Sequence, residues 1–384
     1  TYYGEDYSVG PGRVRGQGDV GGGIGIAIDG NFVNVLVFGT CIHDIDDTAH
    51  NTGFAWAIAN DGANYAHGYG LIVAASGARN ILREAFHQED ATMGVQALGL
   101  TAIDAERGGR VLSGTQGFPQ LCNYSHVFVG RAQGNGWSFE SNSVSDGPES
   151  VNFAFGLFHD WGQSGAASGL LVSGAGGNKI NVLANHFTSG TGDAIEIASN
   201  GSNSNNGRSG GIVVAMNTAR GNSGYALKIS TSATGKKVLI KSDNTLASTS
   251  GSLHPDSSFA NVVTDQRYRS DKFTAGASAQ SSLLFTAARA GWITDIKLIW
   301  AGTNDITSNN FLDLRKRTAG GTDSSLGTFT APSGSHAAWS TLARTISTFA
   351  NRNFAAGDTI YVSKSSAGDG TVPFYIQVEV FEYF

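Results

Sequence analysis

The chain has 384 residues, enough for a solenoid plus one further domain, with a formal net charge of −6 and 15% charged residues, against about 25% in an average protein. The acidic balance and the absence of a Lys/Arg run argue against a nucleic-acid-binding protein, because neutralising phosphates requires clustered cations. The 53 glycines, 6 prolines and 40% hydrophobic residues fit short strands joined by tight turns and do not fit a disordered chain.

The sequence contains neither a membrane span nor a disulfide framework. No apolar run approaches the roughly 18 to 20 residues that cross a bilayer, and no signal peptide opens the chain. The first residue is Thr rather than Met, so we expect a processed or trimmed product that lacks an N-terminal part. Cys41 and Cys122 match no metal-ligand spacing, and we expect both to be buried as small apolar residues.

Residues 20–265 consist of short apolar stretches separated by Gly, Ser, Asn and Asp, and the acidic residues are concentrated in the first half. Three segments supply the candidate catalytic residues, because glycoside hydrolysis needs a pair of carboxyl groups. They are "CIHDIDDTAH" with Asp44 and Asp46, "REAFHQED" with Glu84, and "AIDAERGGR" with Asp104 and Glu106.

Asp44 and Asp46 are separated by one apolar residue, Ile45. If Ile45 points inward, both carboxylates face one patch, and their repulsion raises the pKa of one of them so that it can serve as a general acid. The alternative is that residues 46–48 simply form a turn, since Asp favours turns.

Glu84 precedes Asp104 and Glu106 by 20 to 22 residues, about one short coil of a solenoid. We expect these carboxylates to stack on neighbouring coils, which lie about 4.8 Å apart. The alternative is that all three are solvated loop residues.

Aromatic and basic side chains near these segments are the candidate substrate-binding residues: Trp56, Arg83, His87 and Trp161. We expect Trp161 to be exposed, because "FHDWGQSG" is a Gly-flanked, loop-like stretch. No two-His motif supports a metal site, and the Gly-rich stretch at residues 16–30 does not open a helix as a dinucleotide site requires. We therefore predict neither metal nor cofactor.

The segment "INVLANHFTSGTGDAIEIASN" (180–200) has a near-copy 32 residues later, "IVVAMNTARGNSGYALKISTS" (212–232). A fixed-period repeat of strand, Asn corner and strand predicts stacked coils. Weaker copies match Trp137 to Ile180 and Ser76 to Asn185. The fold that we predict is a right-handed parallel β-helix with coils of roughly 20 to 40 residues, stacked asparagines at a corner, and a cross-coil ion pair between Glu196 and Lys228.

From residue 266 the strands become longer and alternate clearly, as in "TVPFYIQVEVFEYF". The chain is therefore predicted to be all-β, with a β-helix at residues 1–265 and an antiparallel β-sandwich or jelly roll at residues 266–384. The second part would cap the first, support trimerisation or bind carbohydrate.

This order of repeat and sandwich, with the segments "LDLRKRTAGGTDSSLGTFT" and "FAAGDTIYVSKSSAGDG", resembles bacteriophage tailspikes and related polysaccharide-degrading tail proteins. The resemblance implies a homotrimer in the virion tail that binds a bacterial surface polysaccharide without membrane insertion. Members of the family often cleave the polysaccharide with acidic residues on or between the β-helices, but the resemblance transfers no individual residue.

Four functions remain open from the sequence. The first is an endo-acting glycoside hydrolase that depolymerises capsule or O-antigen. The second is a tail fibre adhesin that binds the glycan without cutting it. The third is a polysaccharide lyase, for which Arg83 with His87 is the local indication, and the fourth is a purely structural spike.

Overall fold

A computed structural model describes residues 4–5, 8–9, 12–15, 23–29, 32–45, 53–59, 68–114, 117–141, 147–173, 178–198, 211–229, 238–241, 243–250, 262–264, 266–274, 279–301, 304–306, 310–332, 334–344, 349–364 and 373–383. The chain divides into two compact units, Thr1–Leu239 with Asp243–Asn261 and Ile240–Ser242 with Val262–Phe384. No helix in the described residues is long and apolar enough to cross a bilayer.

The first unit is a parallel β-solenoid. Its strands are β1 (Gly4–Glu5), β2 (Ser8–Val9), β3 (Gly12–Arg15), β4 (Ile24–Asp29), β5 (Phe32–Val33), β6 (Leu36–Phe38), β7 (Thr40–Ile45), β8 (Phe54–Ala59), β9 (Gly68–Tyr69), β10 (Ile72–Ala74), β11 (Gly77–Glu89), β12 (Thr92–Met93), β13 (Gln96–Leu98), β14 (Thr101–Ser113), β15 (Asn123–Ser125), β16 (Phe128–Gly130), β17 (Trp137–Ser141), β18 (Glu149–Ala154), β19 (Leu157–His159), β20 (Leu170–Val172), β21 (Asn178–Leu183), β22 (His186–Thr188), β23 (Ile195–Ile197), β24 (Ile212–Ala215), β25 (Thr218–Arg220), β26 (Leu227–Ile229), β27 (Val238–Ile240) and β28 (Thr245–Ala247).

These strands form three parallel sheets that run along the stack of coils. One sheet has the order β1-β5-β9-β12, and a second runs β2-β6-β10-β13-β15-β18-β21-β24-β27. In the third, the long strands β11 and β14 each continue through a bend, so that their first halves pair with β7 and β16 and their second halves with β8 and β17. Both candidate catalytic segments after residue 80 lie on these two long strands.

The 32-residue repeat is confirmed by the register, since Ile180 pairs with Ile212 and Ile195 with Leu227. The match of Ser76 to Asn185 is also supported, because the Ser76 hydroxyl accepts a hydrogen bond from the backbone N–H of Thr40 as the asparagines do from theirs. The match of Trp137 to Ile180 is wrong: Trp137 pairs with Leu170, on the other sheet. Both positions are inward-facing and apolar, so the pattern alone did not separate them.

Asn185, Asn217 and Asn244 form the predicted ladder at one corner. The Oδ1 of Asn217 accepts from the backbone N–H of Asn185, and the Oδ1 of Asn244 accepts from that of Asn217, both at 3.0 Å. The Nδ2 of Asn217 donates to the carbonyl of Val182 at 2.9 Å. The buried turn groups that coil stacking removes from water are thereby paired, as buried backbone requires.

The solenoid interior is packed with aromatic side chains and aliphatic rows. Phe158 and Phe187 stack on neighbouring coils with ring centroids 4.8 Å apart, the spacing of paired strands. Trp137 is fully buried, as expected for a core residue. Cys122 is buried as predicted, but Cys41 is exposed, because it alternates with the inward-facing Ile42 on β7.

The second unit contains antiparallel sheets. Its elements are β29 (Val262–Thr264), β30 (Gln266–Arg269), β31 (Phe273–Thr274), β32 (Gln280–Thr286), β33 (Ala290–Trp300), β34 (Asn304–Ile306), β35 (Asn310–Arg317), β36 (Asp323–Ala331), β37 (Gly334–His336), β38 (Thr341–Arg344), a 3-10 helix (Phe349–Arg352), β39 (Asn353–Phe354), β40 (Thr359–Lys364) and β41 (Pro373–Tyr383). One sheet has the order β30-β41-β33-β38 and the other β32-β40-β35-β36. A single hydrophobic cluster joins them, with Leu298 and Ile376 from the first and Leu314 and Val362 from the second, which is the arrangement of a β-sandwich.

Candidate functional site

A surface cleft of about 450 Å³ lies where β7, β11 and β14 run side by side. Its polar lining residues are Asp44, Asn80, Asp104, Glu106 and Gln133, and its apolar ones are Ile45, Ile81, Leu82 and Ala105. The cleft therefore brings together three of the five predicted catalytic carboxylates.

The backbone explains why short polar side chains line this cleft. Asp44, Asn80 and Asp104 have φ angles of 54°, 53° and 56°, a left-handed conformation that Asp and Asn adopt more readily than other residues with a side chain. Each lies next to an inward-facing residue, Ile45 in the case of Asp44, which is fully buried. The bend thus anchors an apolar row inside and presents a polar row outside.

Asp104 is held by an arginine from the next coil. Arg131 donates from Nε and Nη2 to the two carboxylate oxygens, both at 2.7 Å, and Arg79 Nε lies 3.6 Å from Oδ2. The hydrogen bonds from Arg131 lower the pKa of Asp104 below its ordinary value, against the opposing effect of desolvation. Asp104 is therefore a fixed carboxylate that is ionised at neutral pH.

Asp44 is held by two neighbours. Asn80 Nδ2 donates to its Oδ1 at 2.9 Å, and His43 Nδ1 lies 3.0 Å from its Oδ2. Asp46, its predicted partner, lies outside the described residues.

Glu106 is the cleft carboxylate with the loosest cationic contact in the described part of the chain. Its side chain is 40% exposed, and Arg83 Nε lies 4.0 Å from Oε2. A side chain placed in this way can move to meet a substrate, whereas Asp104 is clamped.

Glu84 does not stack on Asp104 or Glu106, and that expectation is wrong. Ile81 pairs with Ala105, but a register shift then places Glu84 opposite Arg107. One coil here spans 24 residues before the irregularity and 23 after it, which is longer than the offset of 20 to 22 residues that the expectation required. Asp104 consequently falls level with Asn80.

Glu84 instead lies in a buried cluster of charges. It is 1% exposed, with Arg107 Nη1 and Arg110 Nη1 each 3.9 Å from Oε1. Glu140 binds the same two arginines more closely, at 3.0 Å from Arg107 Nη1 and 2.8 Å from Arg110 Nη2. Such a cluster stabilises the wall of the solenoid, and the burial of Glu84 leaves no room for a polymer to reach it.

His87 belongs to this cluster rather than to the cleft. It is 7% exposed, stacks on Phe54 with ring centroids 4.4 Å apart, and lies 3.3 Å from Glu89 through Nε2. The hydrogen bond with His87 lowers the pKa of Glu89. Arg83 contacts the cleft residue Glu106 while His87 is buried, so these two residues contact different groups.

The two candidate tryptophans are buried, which corrects the expectation that Trp161 is exposed. Trp161 is 0% and Trp56 is 1% exposed. The indole of Trp161 donates to the carbonyl of Ala167 at 3.0 Å and fills space that Gly190 leaves open. A ring enclosed in this way offers no face to a sugar.

Asn80 and Arg131 are cleft or cleft-edge residues that the sequence reasoning missed. The signal was a polar residue at the same corner of each coil, but the coils differ in length: Asp44 and Asn80 are 36 residues apart and Asn80 and Asp104 are 24 apart. A search for a fixed period overlooks such a row. In the described residues no group of three or more His, Cys, Asp or Glu side chains is placed to hold a metal ion.

The chain is similar to solved structures of bacteriophage tailspikes. One is a tailspike of Acinetobacter baumannii bacteriophage Fri1, a capsular polysaccharide depolymerase, with 11% identity, a TM-score of 0.31, and coverage of 94% of this chain and 69% of that chain. A second is the enzymatically active domain of tailspike protein 2 of bacteriophage CBA120, with 11% identity, a TM-score of 0.40, and coverage of 99% and 75%. A third is a tailspike mutant of E. coli bacteriophage HK620 in complex with a pentasaccharide, with 13% identity, a TM-score of 0.34, and coverage of 97% and 75%.

These proteins come from the family that the sequence resembles. No protein-family model matches the chain, and no curated protein matches it. At these identities and TM-scores, the similarity carries no activity over to this chain. The functional proposal therefore depends on the residues of the cleft.

Proposed function

We propose that the chain is part of a phage tailspike that binds a bacterial surface polysaccharide and depolymerises it by glycoside hydrolysis. The observation that carries the proposal is the cleft, in which Asp44, Asp104 and Glu106 line one open space on the solenoid surface. Two carboxyl groups beside one sugar linkage are the requirement of this chemistry.

The two residues on β14 take different roles. Asp104, kept ionised by Arg131, is the carboxylate that activates water or stabilises the positive charge developing on the sugar. Glu106, exposed and loosely held, donates a proton to the leaving oxygen as general acid. Asp44 and Asn80 hydrogen-bond to sugar hydroxyl groups at the other side of the cleft.

A tail fibre adhesin is the second candidate, and one observation favours it. Both oxygens of Asp104 already accept hydrogen bonds from Arg131, as in a site built to hold hydroxyl groups rather than to react. In that case the same cleft binds the polysaccharide and leaves it intact.

We further propose a homotrimer located in the virion tail, in line with the resemblance noted from the sequence. The solenoid exposes large apolar side chains that copies of the chain would cover: Leu36, Phe38, Leu121, Phe155, Leu157 and Met216. Exposed apolar surface of this kind indicates a contact with another protein surface. Light scattering coupled to gel filtration tests this part of the proposal, with a mass of three chains expected and a monomer contradicting it.

The activity is tested by incubating the chain with a panel of bacterial capsular and O-polysaccharides and measuring new reducing ends together with absorbance at 235 nm. Reducing ends without absorbance support hydrolysis, and a rise in absorbance means a lyase. Binding without cleavage, on a panel that includes the host polysaccharide, leaves the adhesin.

A further inference from the structure

The second unit carries a cleft of its own on the four-stranded sheet β32-β40-β35-β36. The cleft has a volume of about 450 Å³. Its lining residues are Ser281, Ser282, Leu283, Arg315, Arg317, Thr359, Tyr361 and Ser363.

Strand alternation places these side chains on the outer face. Tyr361 pairs with Leu283 on one side and with Arg315 on the other. The residues flanking Tyr361, Ile360 and Val362, are fully buried in the sandwich core. Because successive side chains on a strand point to opposite faces, Leu283, Tyr361 and Arg315 form one row across the surface of the sheet.

A network of hydrogen bonds fixes the geometry of this row. Arg315 donates from Nε to the Tyr361 hydroxyl at 3.1 Å and from Nη1 to Asp313 at 2.7 Å. The Tyr361 hydroxyl lies 2.8 and 2.7 Å from the two carboxylate oxygens of Asp323, to which Arg317 also donates at 3.2 Å. The polar groups are thus held in place before a ligand arrives, which reduces the entropy lost on binding.

The charges of this surface cancel locally. Arg315 and Arg317 are matched by Asp313 and Asp323, so the cleft offers no surplus positive charge to an anion. It does offer hydrogen-bond donors, because a guanidinium has five N–H groups and the described contacts of Arg317 with side-chain acceptors use one. Leu283, which is 56% exposed, adds an apolar surface beside the Tyr361 ring.

Dense hydrogen-bonding groups beside an apolar patch, without net charge, suit a neutral sugar ring. We propose that this cleft is a second, non-catalytic glycan-binding site that takes an uncharged sugar residue of the surface polysaccharide. The inference rests on the proposed function to the extent that the chain binds such a polysaccharide at all.

The test measures binding of the intact chain to immobilised bacterial capsular and O-polysaccharides by surface plasmon resonance. The test protein combines Arg317→Ala with Tyr361→Ala. The matched control combines Arg269→Ala with Tyr375→Ala, since the Arg269 guanidinium lies 4.7 Å from the centroid of the Tyr375 ring on a different sheet. Tyr361→Phe is a milder variant that removes only the hydroxyl group.

The double variant in the cleft should bind about tenfold more weakly, while the control pair and the rate of cleavage of short oligosaccharides stay unchanged. Wild-type affinity in both Arg317→Ala/Tyr361→Ala and Tyr361→Phe overturns the site. If the unmodified chain binds none of the polysaccharides, this site and the proposed function both fail. If the chain binds through this cleft but cuts nothing, only the hydrolysis proposal fails.

Discussion

Arg131 clamps Asp104 across two coils of the solenoid with two hydrogen bonds of 2.7 Å. The carboxylate lies in the cleft and the arginine at its edge, 27 residues further along the chain. This contact decides the protonation state of one proposed catalytic group and links the chemistry of the cleft to the stacking of the coils.

Replacing Arg131 by Gln should weaken folding at neutral pH by about 0.2 to 1 kcal/mol, the range of exposed ion pairs. The pKa of Asp104 is lowered from 3.8 in the folded chain, so the pair stabilises the fold above that value and is lost as the pH falls through the lowered pKa. Thermal unfolding at pH 7 and pH 3 checks the sign: the difference from the unmodified chain should shrink at pH 3. Arg79→Gln, at 3.6 Å from the same carboxylate, should have the smaller effect at pH 7, and a larger one would contradict the account.

The same substitution should change the pH dependence of cleavage. Without Arg131 the pKa of Asp104 rises toward its ordinary value, so the acid limb of the rate profile should move to higher pH. Reducing-end assays between pH 3 and pH 8 measure this shift. An acid limb that stays in place would show that Asp104 does not need to be ionised for the reaction.

Replacing Asn217 by Ala should lower the free energy of unfolding by about 2 to 4 kcal/mol, because buried backbone groups of two coils lose their partners. Asn217 is fully buried and bonds Asn185, Val182 and Asn244. Urea unfolding followed by circular dichroism measures the loss. The matched control is Asn152→Ala, a half-buried residue with a side-chain hydrogen bond to Asn123, which should lose about 1 kcal/mol or less.

Adding one methyl group at Gly190 should destabilise the solenoid by about 1 to 3 kcal/mol or more, because a Cβ there would overlap the ring of Trp161. Gly165→Ala is the control, since a Cβ at Gly165 meets no atom within 4 Å. The two melting temperatures give the comparison. Equal melting temperatures for the two variants would contradict the described packing of Trp161.

Removing both arginines of the buried cluster should leave Glu84 as an uncompensated charge. The double substitution of Arg107 and Arg110 by Ala should lower stability by about 3 to 5 kcal/mol. Adding Glu84→Gln should recover part of that loss, because it removes the stranded charge. A triple variant that is no more stable than the double one would argue that Glu84 is not the group the arginines neutralise.

The fold followed from the sequence where the physical constraint repeats at a regular spacing. The copies at 180–200 and 212–232 are predictable because both coils have the same length and the same Asn corner, and Ile180 pairs with Ile212 as expected. The sandwich followed from alternation in residues 374–380, whose even-numbered apolar residues are buried.

The candidate site was predicted only in part, for two physical reasons. The residue types were sufficient to select Asp44, Asp104 and Glu106, which share a cleft. The placement of Glu84 depended on coil length and on a register shift after Ile81, which no local pattern encodes. Trp161 lies in a polar, Gly-flanked stretch, yet the small residue Gly190 on the next coil makes room for its ring, and this is a contact between distant residues.

The most direct test of the central claim compares the rate of reducing-end release by the unmodified chain with the rates of Glu106→Gln and Asp104→Asn. Glu196→Gln is the control, because Glu196 is an outward-facing glutamate that pairs with Lys228 at 2.7 Å and does not line the cleft. The account predicts a loss of about 100-fold or more in both cleft variants, with binding retained and the control within twofold of the unmodified chain. Cleavage at the unmodified rate in Glu106→Gln and Asp104→Asn would contradict it.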